Sequence, residues 1–345
     1  MPAPQTPFQP YATQHEDPSG KGDARPTARQ IVRDAGPASQ LNDKVILITG
    51  CSGGLGEETA RALYETGAQL FLTARDMGKM ETVIDDIVSK AGIKDAPRPQ
   101  AIQMSLDSLK SIKHAVEDLQ RQTKQLHMLI ENAGVMCCPS EQTEDGFERH
   151  FGTNHLGHFY LFKLLQPLLL QTAATSMTSS RVIVVSSAGH RRTEVVMDDL
   201  DWQKREYDPL TAYCQSKTAN IWMANELDRR FGSRGLHAVS VHPGMIWTDI
   251  SRHMTPAQIE ALGVHTAAVR KIEKSSEQGA ATTVWAAVSP HFERHGGVYL
   301  GDCGECGPGN TPVAAAYAPH AYDEEKEKAL WELSCKMVGL PGDDE

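Results

Sequence analysis

The sequence predicts an α/β fold: a doubly wound, seven-stranded parallel sheet with helices on both faces, in a single domain. Three observations carry that prediction. Seven short β-rich runs alternate with longer segments of helical period; a burst of glycine stands between the first run and the first helix; and 345 residues that are 40% hydrophobic suffice for one large core. The runs are Lys44–Thr49, Gln69–Thr73, Pro99–Met104, His127–Glu131, Arg181–Ser186, Ala238–His242 and Val298–Leu300. Strands separated by helices form parallel sheets buried on both faces. Right-handed crossovers then wind the sheet doubly and put its ligand outside the carboxyl ends of the strands.

The flanks are expected to differ from this body. Residues 1–40 hold Pro2, Pro4, Pro7, Pro10, Pro18, Pro26 and Pro37 among polar residues, a composition that reads as a flexible tail. Residues 41–340 are read as the domain, and 341–345 as a short acidic tail. A formal charge of -10, with basic residues scattered among acidic ones, excludes nucleic acid as a partner class. The sequence has no apolar run of membrane-spanning length and no signal-peptide pattern, so a cytoplasmic protein is expected. Seven cysteines without scaffold spacing are read as thiols. Cys303 and Cys306 have zinc-ligand spacing, but no second pair completes a site, and the fourteen histidines, among them His155, His158 and His190, show no ligand spacing; no metal is expected.

The stretch "ILITGCSGGLGEETARAL" holds Gly50, Gly53, Gly54 and Gly56 directly after a strand and before a helix. Such a turn lets the backbone approach a pyrophosphate and offers it helix N-terminal amides. A nucleoside-triphosphate loop would need Lys followed by Ser or Thr, whereas Glu57 and Glu58 stand there. The spacing fits two dinucleotide patterns, Thr49-Gly50 with Gly54 and Gly56, or Gly50, Gly53 and Gly56.

In "TAYCQSKTAN", Tyr213 and Lys217 lie four apart on a predicted helix and share a face. An ammonium there lowers a phenol from about 10 toward neutrality, which suits a general acid/base. Ser186 and Ser187 close the fifth strand, where this fold places ligands, and Asn154 sits inside a predicted helix that it disfavours.

With "ENAG" (Asn132, Ala133, Gly134) and "HPGMIWT" (Pro243, Gly244, Ile246, Thr248), these residues resemble the short-chain dehydrogenase/reductase family, a Rossmann-type fold. Within it the chain looks most like the retinol-dehydrogenase and WW-domain-oxidoreductase-like group. The resemblance implies catalysis by Asn154, Ser187, Tyr213 and Lys217. Tyr213 would exchange the proton, Lys217 hold the nicotinamide ribose and depress the phenol, Ser187 orient the substrate oxygen, and Asn154 keep a relay water. Thr49, Gly50, Ser52, Gly54, Leu55 and Gly56 would line the pyrophosphate. Asp107 would meet the adenine; Asn132, Ala133 and Gly134 would flank the cofactor; and Pro243, Gly244, Ile246 and Thr248 would take the carboxamide end. Oligomerisation through the long helices is a family expectation.

Where an NAD enzyme carries an acid after the second strand, this chain has Arg75, which can pair with a 2′-phosphate, with Asp76 beside it. NADP(H) is therefore expected over NAD(H). A lid over 249–275, with Met254, Ile259, Leu262 and Val264, is expected to cover a pocket for a small apolar carbonyl or alcohol. Two other readings remain at this stage: an NADP(H)-binding scaffold without catalysis, and a nucleotide-sugar epimerase or dehydratase favoured by the second glycine register.

Overall fold

The computed structural model describes residues 7–36, 41–93, 96–176, 178–261, 263, 265–309 and 315–342. In chain order the body begins with β1 (Val45–Ile48), α1 (Gly54–Tyr64), β2 (Gln69–Ala74), α2 (Met77–Lys90), β3 (Gln100–Gln103), α3 (Leu109–Gln122) and β4 (Met128–Glu131). It continues through α4 (Gly157–Thr175), β5 (Ser180–Val185), α5 (Pro209–Phe231), β6 (Leu236–His242), α6 (Ala267–Ile272), α7 (Ala281–Val288), β7 (Val298–Gly301), β8 (Gly304–Glu305) and α8 (Glu324–Met337).

The sheet runs β3-β2-β1-β4-β5-β6-β7-β8. The first seven strands are parallel, as expected, and their near-continuous apolar runs follow from burial on both faces. Side chains alternate accordingly: Leu47, Leu129, Val182 and Val184 pack under α3, α4, α5 and α8, while Ile46, Ile48, Ile130 and Ile183 pack under α1, α2 and α7. The strand order reverses at β1 and β4, which opens a crevice at their carboxyl ends.

Two differences from the sequence expectation stand out. An eighth, antiparallel strand follows β7 through a two-residue turn, Asp302 and Cys303, both at positive φ (53° and 54°). Two paired residues are too few for any periodicity to announce.

The flexible-tail expectation also fails over residues 7–36. A short helix, Ala28–Asp34, is capped by Thr27 and buries Ala28, Ile31 and Val32 against α1 and α7. Upstream, the Arg25 guanidinium donates to the carbonyls of Gly20 (3.1 Å), Ile272 (2.8 Å) and Glu273 (2.7 Å) and pairs with Asp23 (2.8 Å). Prolines suppress regular structure without preventing an extended segment from docking. Pro2, Pro4 and Pro37 lie outside the described residues, as do residues 343–345 of the acidic end. Among the described residues no helix is long and apolar enough to cross a membrane, and the seven cysteines are buried, none of them in a disulfide.

Candidate active site

At the crevice a cleft of about 430 Å³ is lined by Gly50, Ser52, Gly54, Leu55 and Gly56 from the first turn and by Asn132, Ala133 and Gly134 from the loop after β4. Gly50 takes φ +72°, and a Cβ there would stand 2.7 Å from that of Ala133. A Cβ on Gly56 would collide with the Gly50 carbonyl. Glycine is thus required where the turn, the helix and the β4 loop converge, and the N-terminal amides of α1 are left facing the cleft.

Thr49 lies beneath this cleft rather than in its wall, fully buried. Its hydroxyl oxygen accepts from the backbone N–H of Asn132 (2.9 Å) and Ala133 (3.0 Å). It meets His158 Nε2 at 2.9 Å, and His158 Nδ1 lies 3.0 Å from the Asn154 carbonyl. A carbonyl only accepts, so Nδ1 carries the hydrogen and the threonine donates to Nε2. Burial lowers His158 to about 4, which keeps it neutral. The Asn132 amide closes the knot on the carbonyls of Thr49 (2.9 Å) and Gly50 (3.3 Å).

Arg75 lies exposed on the cleft's rim, with Lys79 nearby and Arg149, Arg252 and Asp107 farther along. The carboxylate of Asp76, beside Arg75, accepts from the Lys79 backbone N–H at 3.0 Å as the N-cap of α2. Asp107 is held by Ser105 and by Arg149 at 3.2 Å.

A second cavity, of about 990 Å³, adjoins the first. Leu55, Ser186, Tyr213, Pro243, Thr248 and Ile250 line both, so Tyr213 stands at the seam. Ser187 lines the second cavity only; its hydroxyl oxygen accepts from the Gly189 N–H at 3.0 Å and stands beside the Tyr213 phenol. The Ser186 hydroxyl is instead engaged by the Lys217 carbonyl at 2.7 Å, which separates the roles of the two serines. Lys217 is buried, donates to the Val185 carbonyl at 2.9 Å, and lies 5.8 Å from the centre of the Tyr213 ring.

The expected depression of the phenol does not occur. Burial raises Tyr213 above its ordinary value, and only the Ser187 hydroxyl opposes it. Burial also lowers Lys217, to about 8. Desolvation disfavours both charged forms and here outweighs their mutual attraction.

Asn154 sits in a π-helical turn, Phe151–Leu156, that leads into α4, which accounts for a poor helix former at that place. Its side chain accepts from the Val135 N–H (2.8 Å) and donates to the Val135 carbonyl (2.9 Å) and Ser216 Oγ (2.9 Å). It fastens the β4 loop to α5.

Comparison with known proteins decides the family. The family model described as short chain dehydrogenase matches residues 44–259. This chain belongs to the short-chain dehydrogenases. Among its curated relatives, the short-chain dehydrogenase/reductase prx1 of Penicillium roqueforti is 44% identical over 96% of this chain and 95% of that protein. Human retinol dehydrogenase 12 is 35% identical over 87% of this chain and 88% of its own length, which supports the retinol-dehydrogenase-like grouping. A solved structure from Mycobacterium paratuberculosis superposes with a TM-score of 0.66 at 30% identity, covering 88% of this chain and 98% of that one. The family is one of oxidoreductases that use a nicotinamide cofactor.

Within this dehydrogenase, the wall of the second cavity differs from expectation. Trp247, Ile250 and Ile272 line it, whereas Met254 packs away and Ile259 takes no part; Leu262 and Val264 lie outside the described residues. Lys79, Arg149 and His158 were not anticipated. Lys79 alone had a signal, its place one turn into the helix after β2. One group of histidines also contradicts the reading that none share ligand spacing. Nε2 of His291 and of His295 and a Glu305 carboxylate oxygen lie within 4.8 Å of one another. Both imidazoles hydrogen-bond that carboxylate, at 2.6 and 2.9 Å, and the Phe8 N–H reaches its other oxygen at 3.3 Å. Glu131, preceding Asn132, is fully buried with neither oxygen hydrogen-bonded among the described residues, and burial raises it to about 8.

Proposed function

We propose that this chain is an NADP(H)-dependent oxidoreductase acting between the nicotinamide and an apolar carbonyl or secondary alcohol. The observation that carries the reading is Tyr213 at the seam of two cavities, one glycine-lined with a cationic rim and one largely apolar, with Ser187 beside its phenol. The residues fit a phosphate-bearing dinucleotide: a cradle that any Cβ would fill, open helix amides and the Arg75–Lys79 pair at the 2′-phosphate position. Thr248, Ile246, Pro243 and Gly244 would hold the nicotinamide end, and Lys217 its ribose. When bound, this cofactor donates or accepts the hydride.

The chain's own residues handle the proton. With its phenol raised by burial, Tyr213 is protonated at neutral pH and donates to the substrate oxygen as that oxygen gains charge. Ser187 is the second donor to the same oxygen, and two preoriented donors stabilise an alkoxide better than water does. The Lys217 ammonium, charged below about 8, favours the phenolate that remains. Asn154 acts through position, holding the loop that carries Gly134 against Lys217.

The test is NADPH consumption against apolar aldehydes, ketones and quinones, run beside Tyr213→Phe and repeated with NADH. Turnover should fall by at least about 10²–10⁴-fold in the variant while NADPH binding persists. A variant retaining half its activity would remove Tyr213 from the chemistry, and NADPH binding without turnover on any compound would favour the scaffold reading.

A further inference from the structure

The family match begins at residue 44, yet residues 7–36 are docked on the body, and part of that segment faces the chemistry. Gln9, Ala12, His15, Glu16, Pro18 and Arg25 line the same cavity as Ser187 and Tyr213.

The segment is fastened by contacts of several kinds. Arg25 binds the last carbonyls of α6 and the residue after it. Lys21 pairs with Glu273, and Lys271 with Asp17, each at 2.7 Å. The Gln278 amide donates to the carbonyls of Asp23 (3.3 Å) and Arg25 (3.1 Å). At its start the Glu305 N–H donates to the Phe8 carbonyl at 3.0 Å. Two of these anchors, Ile272 and Glu273, lie in the stretch that closes the cavity from the other side, where Met245 bridges Glu273. Part of the wall is polar: Lys274 Nζ and His15 Nε2 converge on one Asp302 oxygen, at 2.7 and 3.7 Å. Ala12, Met245, Ile246, Trp247, Ile250 and Ile272 supply apolar lining of the same cavity.

We propose that residues 9–25 form part of the wall of the substrate cavity and select extended or multi-ring apolar carbonyl compounds large enough to meet both Tyr213 and this segment. The inference deepens the oxidoreductase reading and rests on it for the identity of the reacting end. A cavity of about 990 Å³ stands at the upper end of the roughly 300–1,000 Å³ of small-molecule sites. A short ketone buries little of it, whereas a long one gains from every methylene removed from water.

The experiment uses the full chain with His15→Trp and, separately, Ala12→Trp, two substitutions that add volume to the wall at a short surface helix with no buried residue. A series from 2-hexanone to 2-dodecanone is reduced with NADPH, and cis-parinaric acid, a long fluorescent fatty acid, is titrated as a probe that needs no turnover. Wild-type KM should fall with chain length. In at least one variant, KM for 2-dodecanone and Kd for the probe should rise about tenfold, with KM for 2-hexanone and NADPH affinity within about twofold. Equal effects at all lengths, unchanged KM and probe affinity in both variants, or no probe binding by the wild type would overturn the inference. Probe binding that responds to the variants without turnover of any ketone supports the wall and overturns only the oxidoreductase reading.

Discussion

Glu131 offers a sharp test of how this core is built. Its carboxyl ends β4 beneath the cleft, fully buried and without a hydrogen bond among the described residues. Burial alone carries it from an ordinary 4.5 to about 8. A folded-state value above the unfolded one means that the native chain holds a proton the unfolded chain has lost. Both states are protonated below about 4.5, so no penalty exists there. Stability then falls as pH rises, until the native carboxyl also ionises near 8. At about 1.4 kcal/mol for each pH unit of that window, the change from pH 5 to pH 8 is on the order of 4 kcal/mol.

Glu131→Gln keeps the shape and removes the proton equilibrium. For a chain of this length the unfolding entropy near the transition is about 0.7 kcal/mol per degree. The difference in Tm between Glu131→Gln and wild type should therefore grow in the variant's favour by about 5 °C between pH 5 and pH 8. The other titrating groups are common to both proteins and cancel in the comparison. Melting curves of cofactor-free protein across that range decide it. Two profiles that run parallel within about 1 °C would show that Glu131 is ionised or partnered in the native state, and the reasoning from burial would fail.

Three further outcomes follow from the site. Gly50→Ala adds a Cβ at φ +72° and 2.7 Å from that of Ala133. It should cost roughly 1–2 kcal/mol of stability from the backbone alone and abolish NADPH binding in a fluorescence titration. Arg75→Ala should weaken NADPH by about tenfold or more, the loss of one charge-assisted contact, with NADH unchanged; equal affinity for the two cofactors before and after would refute the 2′-phosphate assignment. Lys217 is charged below about 8, and Tyr213 remains protonated well above that. The kcat/KM for carbonyl reduction should thus be flat at neutral pH and fall as pH rises through about 8.

The order of seven parallel strands, the glycine turn and the placement of Ser187, Tyr213 and Lys217 were legible because each depends on local chemistry. A short β-rich run, a turn that excludes Cβ atoms and an i,i+4 pair on one helix are written within a few residues of one another. The choice of Ser187 over Ser186 came from the family resemblance, and the geometry separates the two: the Ser186 hydroxyl is engaged by the Lys217 carbonyl, and Ser187 stands beside the phenol. What stayed hidden was non-local. His158 reads as a helix residue like its neighbours, and only the approach of Thr49 from β1, 109 positions away, makes it part of the cleft's floor. Likewise the sign of the Tyr213 shift depends on total burial, which spacing to Lys217 does not report.

Residues 7–36 show the same limit on a larger scale. Their composition describes a chain unable to order itself, and that inference holds for a segment in isolation. Docked, the segment needs only enough partners on a surface that is already folded. Arg25 finds the carbonyls of Ile272 and Glu273 there, and Ile31 and Val32 find the gap beside α1 and α7. Because those carbonyls belong to the stretch that closes the substrate cavity, the part of the chain least able to fold alone adjoins the substrate. The chemistry at Tyr213 is built from the sheet and the helix that carry the family's motifs, while the wall of the adjoining cavity also draws on segments outside them, Ile272 and Lys274 and residues of 9–25. On the proposed reading, selectivity would change through these residues without disturbing the proton path.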